Sequence, residues 1–275
     1  MEVWYLILGF FLYGFLGWCA EVAFAAVRYK KFVNRGFLNG PICPIYGVGV
    51  MLVVELLDPY RDNLVLLYIL SAVLVTVLEW VTGFLLEKIF HHKWWDYSNM
   101  PLNLNGYVCL LFSLIWGVAC VVIVYFIHPL TAGLLSLIPE LIAAVISIVL
   151  CIGLAADLVV TVISVCKLNS RLKNMEEIAG ELRKLSVQVG TGIYQNVMEG
   201  MEKQEQRKQK AEELKKRYQE LLERNGRADR RILKAFPGLT PQRHKDAFAD
   251  LKEQMKAQIE KGRKKAEEAW KEKKR

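Results

Sequence analysis

Long apolar segments crowd the first 166 residues of this chain, and they limit its fold more than any other feature. A helix that crosses the hydrocarbon core of a bilayer needs roughly 20 apolar residues. Five segments meet or approach that length: residues 3–27, 41–57, 64–88, 107–127 and 139–166. We therefore predict an all-α fold class, in which residues 1–166 form an integral membrane bundle of about five transmembrane helices and residues 167–275 form a helical cytoplasmic tail.

The second apolar segment, residues 41–57, is the shortest of the five, and Pro41 and Pro44 stand near its start. It is either a spanning helix or a partly re-entrant one. A bilayer tolerates re-entrant backbone only where protein or water satisfies the peptide groups.

Charge divides the chain at the same boundary. Residues 1–166 carry seven basic and ten acidic side chains, whereas residues 167–275 carry 29 and 18, so the formal charges are −3 and +11. Basic residues lie in 28–35, in 88–93 and directly after residue 166, and basic connections stay on the cytoplasmic side of a membrane. We expect a multipass protein of the cell membrane with its N-terminus outside and its C-terminus in the cytoplasm.

Several polar groups are expected on the cytoplasmic side of the bundle. Ionisable residues inside spans usually face the interior and mark function, and Glu21, Glu79 and Asp157 lie in the cytoplasmic halves of their predicted spans. Three polar segments are expected on the same side: residues 35–47, 91–98 and 101–106. We infer a cytoplasm-facing polar cavity, whose expected lining and candidate substrate-binding residues are Glu21, Arg35, Asn39, Glu79, Asp96, Asn103 and Asn105.

The connection before the second segment is suited to anion binding. Pro41 fits the first turn of a helix because its missing N–H would be unsatisfied there, and Gly36 and Gly40 permit tight turns before it. Such a helix would point its positive end into the cavity, where Arg35 could hold a phosphate or carboxylate. The alternative is that Arg35 neutralises Glu21 or Asp96, because buried carboxylates need partners.

No cofactor, metal site or nucleic-acid partner is predicted. The six cysteines lack the C-x-x-C spacing of zinc sites, and the adjacent His91 and His92 point in different directions, so they would not share an ion with Asp96. The chain has no phosphate-binding loop and no G-x-S-x-G motif, so a separate chain would have to bind ATP. The basic tail lacks interleaved aromatic residues, which favours an anionic membrane surface over nucleic acid.

The tail is predicted to be helical and partly coiled coil. An apolar seam with steps of four and three residues continues from the last span, and it is suited to pairing two copies of the chain. Its members are Leu168, Leu172, Met175, Ala179, Leu182, Ser186, Val189 and Ile193. A second helix is expected over residues 194–223, and Thr240 and Pro241 are expected to begin the last helix.

Four motifs resemble, in order and with similar spacing, the bacterial family of ABC-transporter type IV permeases. They are Gly17-Trp18-x-x-Glu21, the segment 35–47 with Gly36, Gly40, Pro41, Pro44, Tyr46 and Gly47, then Trp95-Asp96-Tyr97-Ser98, and the segment 103–110 with Gly106. Where the family commonly shows Gly-Arg before the cysteine of the last motif, this chain has Gly106-Tyr107. The resemblance implies a membrane protein in a bacterial lipid bilayer, with a separate ATPase subunit and a second copy of the chain as candidate partners.

The leading interpretation is a permease-like protein that binds or transports a small anionic solute through the cytoplasm-facing cavity. One alternative is an integral-membrane enzyme that acts on a lipid headgroup or polyprenyl phosphate, with a carboxylate as base. Another is a membrane scaffold or regulator that recruits partners through its tail. The lack of a recognisable catalytic motif disfavours the enzyme.

Overall fold

The structure is a computed structural model, and it describes residues 3–30, 32–192, 200–224 and 226–272. The chain divides into two compact units. Unit 1 comprises residues 1–163 together with residues 234–240, and unit 2 comprises residues 164–233 together with residues 241–275.

Unit 1 is built from long apolar helices. They are α1 (Val3–Tyr29), α2 (Pro44–Leu57), α3 (Leu64–Phe90), α4 (Leu110–Val122), α5 (His128–Ser136) and the first part of α6 (Glu140–Gly192). Among the described residues, four helical stretches are long and apolar enough to span a membrane: Val3–Arg28, Leu64–Phe90, Leu110–Ser136 and Glu140–Ser186. The predicted fold class, an all-α membrane bundle, is confirmed.

The second apolar segment forms a short helix. With 14 residues, α2 rises about 21 Å, less than the roughly 30 Å of a hydrocarbon core. The backbone N–H of Cys43 donates to the Gly14 carbonyl at 2.9 Å, and Gly9 packs against Met51. Helix α2 is therefore antiparallel to α1 and begins beside the middle of α1, with residues 32–43 forming irregular backbone alongside the rest of α1.

The first-turn proline of α2 is Pro44, so the prediction for Pro41 was wrong. The Ile42 N–H donates to the Gly40 carbonyl at 2.9 Å, which keeps Pro41 inside a turn. Cys43 is extended and stands at the N-cap position. The helix consequently starts three residues later than the sequence suggested.

The interval between the predicted spans 107–127 and 139–166 is mostly helical and not a loop, because residues 128–136 form α5. A π-helical segment, Ile123–Ile127, joins α4 to α5. Pro129 lacks the N–H that a regular helix would use, and the wider π turn next to it accommodates the loss. The connection that follows is only residues 137–139.

Residues 91–109 form an ordered connection at the end of α3. It contains β1 (His92–Lys93) and an antiparallel hairpin of β2 (Asn103–Leu104) and β3 (Val108–Cys109). We name the end of unit 1 that holds this connection and residues 32–43 the loop end, and the opposite end the far end.

A hydrophobic core cluster of unit 1 lies towards the far end. Its buried residues are Tyr13, Val50, Val53, Val54, Leu57, Leu67, Cys120 and Val124. Along the helices, large apolar side chains such as Val73, Val77 and Leu85 are exposed, as expected for surfaces that face lipid.

Unit 2 consists of the rest of α6, α7 (Gly200–Glu223), most of α8 (Arg227–Ala235) and α9 (Lys245–Glu272). The first three residues of the predicted seam, Leu168, Leu172 and Met175, are each at most 1% exposed, so they pack inside the chain and not against a second copy. The seam position Ile193 and the predicted helix start at residue 194 lie outside the described residues.

The expected start of the last helix was wrong. Thr240 and Pro241 form β4, and α9 begins four residues later at Lys245. The Phe248 N–H donates to the carbonyl of His244, whose φ is 58°, so a left-handed residue marks the beginning of this helix.

Candidate functional site

A cavity of about 430 Å³ lies within unit 1. Residues of α1 to α4 and α6 line it, together with both irregular segments of the loop end and Phe236. Most of its lining is apolar or aromatic. The charged residues among the described lining are Glu21, Arg35 and Glu79, so three of the seven predicted site residues meet in one cavity.

Glu21 and Arg35 form an ion pair on the cavity wall. The Arg35 Nε lies 3.1 Å from Glu21 Oε2, but its N–H direction does not give a hydrogen bond, so the contact is a pairing of charges. The hydroxyl of Tyr46 donates to Glu21 Oε1 at 2.7 Å. The Arg35 guanidinium also lies 5.4 Å from the centre of the Phe24 ring. Of the two partners weighed for Arg35, the structure places Glu21 beside it and not Asp96.

The second carboxylate of the cavity, Glu79, lies close to the Tyr97 hydroxyl. Its Oε2 atom is buried, and no hydrogen-bond partner reaches it among the described residues. Burial and the nearby Glu79 carboxylate hold the pKa of Tyr97 well above its ordinary value, so its hydroxyl remains a donor at neutral pH.

Asn39 holds the irregular segment in place and does not line the cavity. Its backbone N–H and its side-chain Nδ2 donate to Asp157 Oδ1 at 3.1 and 2.7 Å, and Nδ2 also donates to Thr161 Oγ1 at 2.9 Å. The Gly40 N–H donates to Asp157 Oδ2 at 2.7 Å. The sequence singled out Asp157 as a carboxylate within a span but gave no signal of these partners.

Asp96, Asn103 and Asn105 lie in the turns of the 91–109 connection and outside the cavity lining. Asn103 Nδ2 donates to the Met100 carbonyl at 2.8 Å, and its Oδ1 accepts from the Gly106 N–H at 3.1 Å. Asn105 and Gly106 have φ values of 57° and 74°, which suits the tight turn of the hairpin. An Asn-Gly pair favours a hairpin turn of this kind, although no hairpin was predicted for this segment.

Asp96 accepts hydrogen bonds from both the backbone N–H and the hydroxyl of Ser98. Partial burial acts to raise the pKa of Asp96, but these hydrogen bonds and the nearby Lys93 ammonium outweigh it and lower the pKa below its ordinary value. The residue therefore acts as an ionised anchor of the turn.

Two further motif residues, Trp18 and Trp95, hold the irregular segments of the loop end in place. Trp18 Nε1 donates to Asn34 Oδ1 at 2.7 Å, and the Gly36 N–H donates to the same atom at 3.0 Å. Asn34 Nδ2 in turn donates to the Asn39 carbonyl at 2.8 Å. Asn34 is thus a positioning residue that the sequence did not reveal. Trp95 Nε1 donates to the Tyr107 carbonyl at 2.7 Å and ties the connection to the hairpin.

Aromatic rings surround the loop end of the cavity. Trp94 is 4% exposed, and its ring packs edge-on against Phe37 at 4.9 Å and against Phe236 at 4.8 Å between centroids. Phe90, the last residue of α3, packs against Phe37 and Trp94. Phe236 comes from the segment 234–240, which is distant in sequence but belongs to unit 1.

The fold and the cavity define a helical membrane protein with an internal, partly charged site. Residues 8–162 match the family model described as "Putative ABC-transporter type IV", which covers more than half of the chain, so the chain belongs to this family. It is therefore a transport-related membrane protein. No curated protein and no solved structure gave a significant match. Among the described residues, no group of His, Cys, Asp and Glu is placed to hold a metal ion.

Proposed function

We propose that this protein is permease-like and binds a small anionic solute in the cavity, as a step in moving it across the bacterial cell membrane, with the cavity open towards the cytoplasm. The observation that supports this proposal best is the position of Arg35. It is the only basic residue among the described residues that line the cavity. Within the described part of the chain, its contacts are the Glu21 pair through Nε and the Phe24 ring.

The terminal amino groups of Arg35 would supply the donors for the solute. A guanidinium presents a fork of N–H groups that matches a carboxylate or phosphate. Pro44, Ile45 and Tyr46, at the first turn of α2, line the same cavity. The positive end of the helix dipole would add to the attraction for an anion.

Glu21 would act as the internal competitor of the solute. Because its carboxylate neutralises Arg35 in the empty cavity, an arriving anion would take over that charge, and Glu21 would move or accept a proton. The Tyr46 hydroxyl, which contacts Glu21 Oε1, can form a hydrogen bond with either the ionised or the protonated carboxyl group of Glu21, since a hydroxyl both donates and accepts. In this way the Arg35 guanidinium would pair first with the Glu21 carboxylate and then with the anionic solute.

A separate ATPase subunit is the proposed source of energy. The family description names an ABC transporter, but the chain contains no phosphate-binding loop. ATP binding and hydrolysis would then belong to another chain.

The test compares binding of anionic, neutral and cationic small molecules to the full chain in lipid nanodiscs, measured by thermal shift. We expect anions alone to stabilise the wild type, Arg35→Ala to lose this effect, and Glu21→Gln to bind anions more tightly because the competitor is gone. The matched control is Lys88→Ala, which removes an exposed cation that does not line the cavity. Equal binding of neutral compounds, or unchanged anion binding by Arg35→Ala, would contradict the proposal.

A further inference from the structure

The cavity has three zones along its length. At its base, Val50, Val75, Cys120 and Ile123 belong to or pack against the apolar core of the far end. Next comes the polar group of Glu21, Arg35, Tyr46, Glu79 and Tyr97. Beyond it, towards the loop end, the lining becomes apolar and aromatic again, with Phe37, Leu86, Trp94 and Phe236.

The spacing along α3 sets the scale of these zones. Val75, Glu79 and Leu86 all line the cavity. At 1.5 Å of rise per residue, Val75 lies about 6 Å below Glu79, whereas Leu86 lies about 10 Å above it. The longer apolar zone is therefore on the side of the aromatic rings.

The charges of the polar group limit the charge of the ligand. One guanidinium faces two carboxylates there, and Glu79 Oε2 has no hydrogen-bond partner among the described residues. A ligand with two negative charges would keep at least one of its own charges without a cation in this poorly solvated cavity. Burying an unpaired charge costs binding free energy. A single negative charge can be met by Arg35 once Glu21 has moved or accepted a proton, because Glu21 neutralises this guanidinium in the empty cavity.

Resting on the proposed function, we propose that the solute is an amphipathic monoanion: a carboxylate carried on an apolar chain or ring. Its carboxylate pairs with Arg35 in the polar group, and its apolar body extends along Leu86 towards Phe37, Trp94 and Phe236. The volume of about 430 Å³ suits a small molecule of this type. Small hydrophilic anions would leave the aromatic zone unfilled.

The experiment uses the wild-type full chain in phosphatidylcholine nanodiscs and four ligands: octanoate, acetate, 1-octanol and inorganic phosphate. Trp94, Trp95 and Trp116 line the cavity, so tryptophan fluorescence reports its occupation, and empty nanodiscs correct for partition into the lipid. We expect octanoate to bind at least about 100-fold more tightly than acetate or phosphate, because its chain is buried. We also expect it to bind at least about 10-fold more tightly than 1-octanol, because only octanoate pairs with Arg35.

The outcomes separate this inference from the proposed function. If acetate or phosphate binds as tightly as octanoate, the amphipathic class is wrong and anion binding stands. If octanoate does not bind while other anions stabilise the protein, the amphipathic class is wrong, and the proposal that the cavity binds anions stands. If 1-octanol matches octanoate, the charge plays no part and both proposals fall.

Discussion

Asp157 on α6 accepts hydrogen bonds from the backbone N–H groups of Asn39, at 3.1 Å, and Gly40, at 2.7 Å. These residues lie in the irregular segment that precedes α2, where the backbone has no helical carbonyls to accept its protons. Peptide groups at membrane depth need partners from the protein. The Asp157 carboxylate, more than a hundred positions away in the sequence, thus accepts the backbone hydrogen bonds that the carbonyl groups of a preceding helical turn would otherwise accept.

Asp157→Ala should destabilise the protein by about 1.5–3 kcal/mol, because the N–H groups of Asn39 and Gly40 lose the charged carboxylate that accepts their hydrogen bonds. Asp157→Asn keeps one acceptor oxygen and should lose roughly half as much. Thermal unfolding in detergent measures both, with Glu140→Ala as the control, since Glu140 is an exposed acidic residue of the same helix. Equal melting temperatures for Asp157→Ala and Glu140→Ala would show that the hydrogen bonds contribute nothing.

The sequence predicted the membrane bundle because four apolar segments of spanning length and a shorter fifth leave few other folds. It also brought Glu21, Arg35 and Glu79 together, since costly charges inside spans collect in the interior. The sequence could not show that Asn39, Asp96, Asn103 and Asn105 lie outside the cavity lining. Polar side chains in connections stabilise turns as often as they bind ligands. The parts of the site that come from distant segments, such as Phe236 and Asp157, depend on tertiary packing, which leaves no local pattern in the chain.

Gly47→Ala should push α1 and α2 apart. A Cβ atom at Gly47 would collide with the carbonyl oxygen of Phe10, which is backbone and cannot rotate away. We expect a loss of about 1–3 kcal/mol of stability, read as a lower melting temperature. Gly133→Ala is the matched control, because nothing lies within 4 Å of its added Cβ, and it should be neutral or slightly stabilising. The prediction fails if the two substitutions behave alike.

We predict that the irregular segment and α2 together complete one crossing, which gives five crossings and places the N-terminus outside and the C-terminus inside. Alkaline phosphatase fused after Asp62 should then be active and the same fusion after Lys88 inactive, and a C-terminal green fluorescent protein should fluoresce. If α2 instead returned to the side from which it came, the fusion after Asp62 would be inactive. This result would reverse the assigned orientation of everything that follows α2.

The turn at Asp96 should resist acid. Because hydrogen bonds from Ser98 and the Lys93 charge lower the pKa of this carboxyl in the folded protein, its stabilising effect is present above the unfolded value of about 3.9 and is lost only as the pH falls through the lower folded pKa. Ser98→Ala should move the pKa of Asp96 upwards, and Lys93→Met should do so less. Carboxyl NMR titration measures the shift, and an unchanged pKa in Ser98→Ala would refute the assigned cause.

Phe236 should control how fast a solute leaves the cavity. Its ring lines the cavity and covers Trp94, which is 4% exposed although it lies beyond the end of α3. Phe236→Ala would remove this cover, so we expect red-shifted tryptophan fluorescence and at least about 10-fold faster dissociation of a bound anion, since a lost aromatic contact costs about 1.4 kcal/mol or more. Phe126→Ala, at a ring that is 73% exposed, is the control and should change neither property. Dissociation that is equally fast in wild type and Phe236→Ala would mean that the segment 234–240 forms a wall of the cavity without governing access to it.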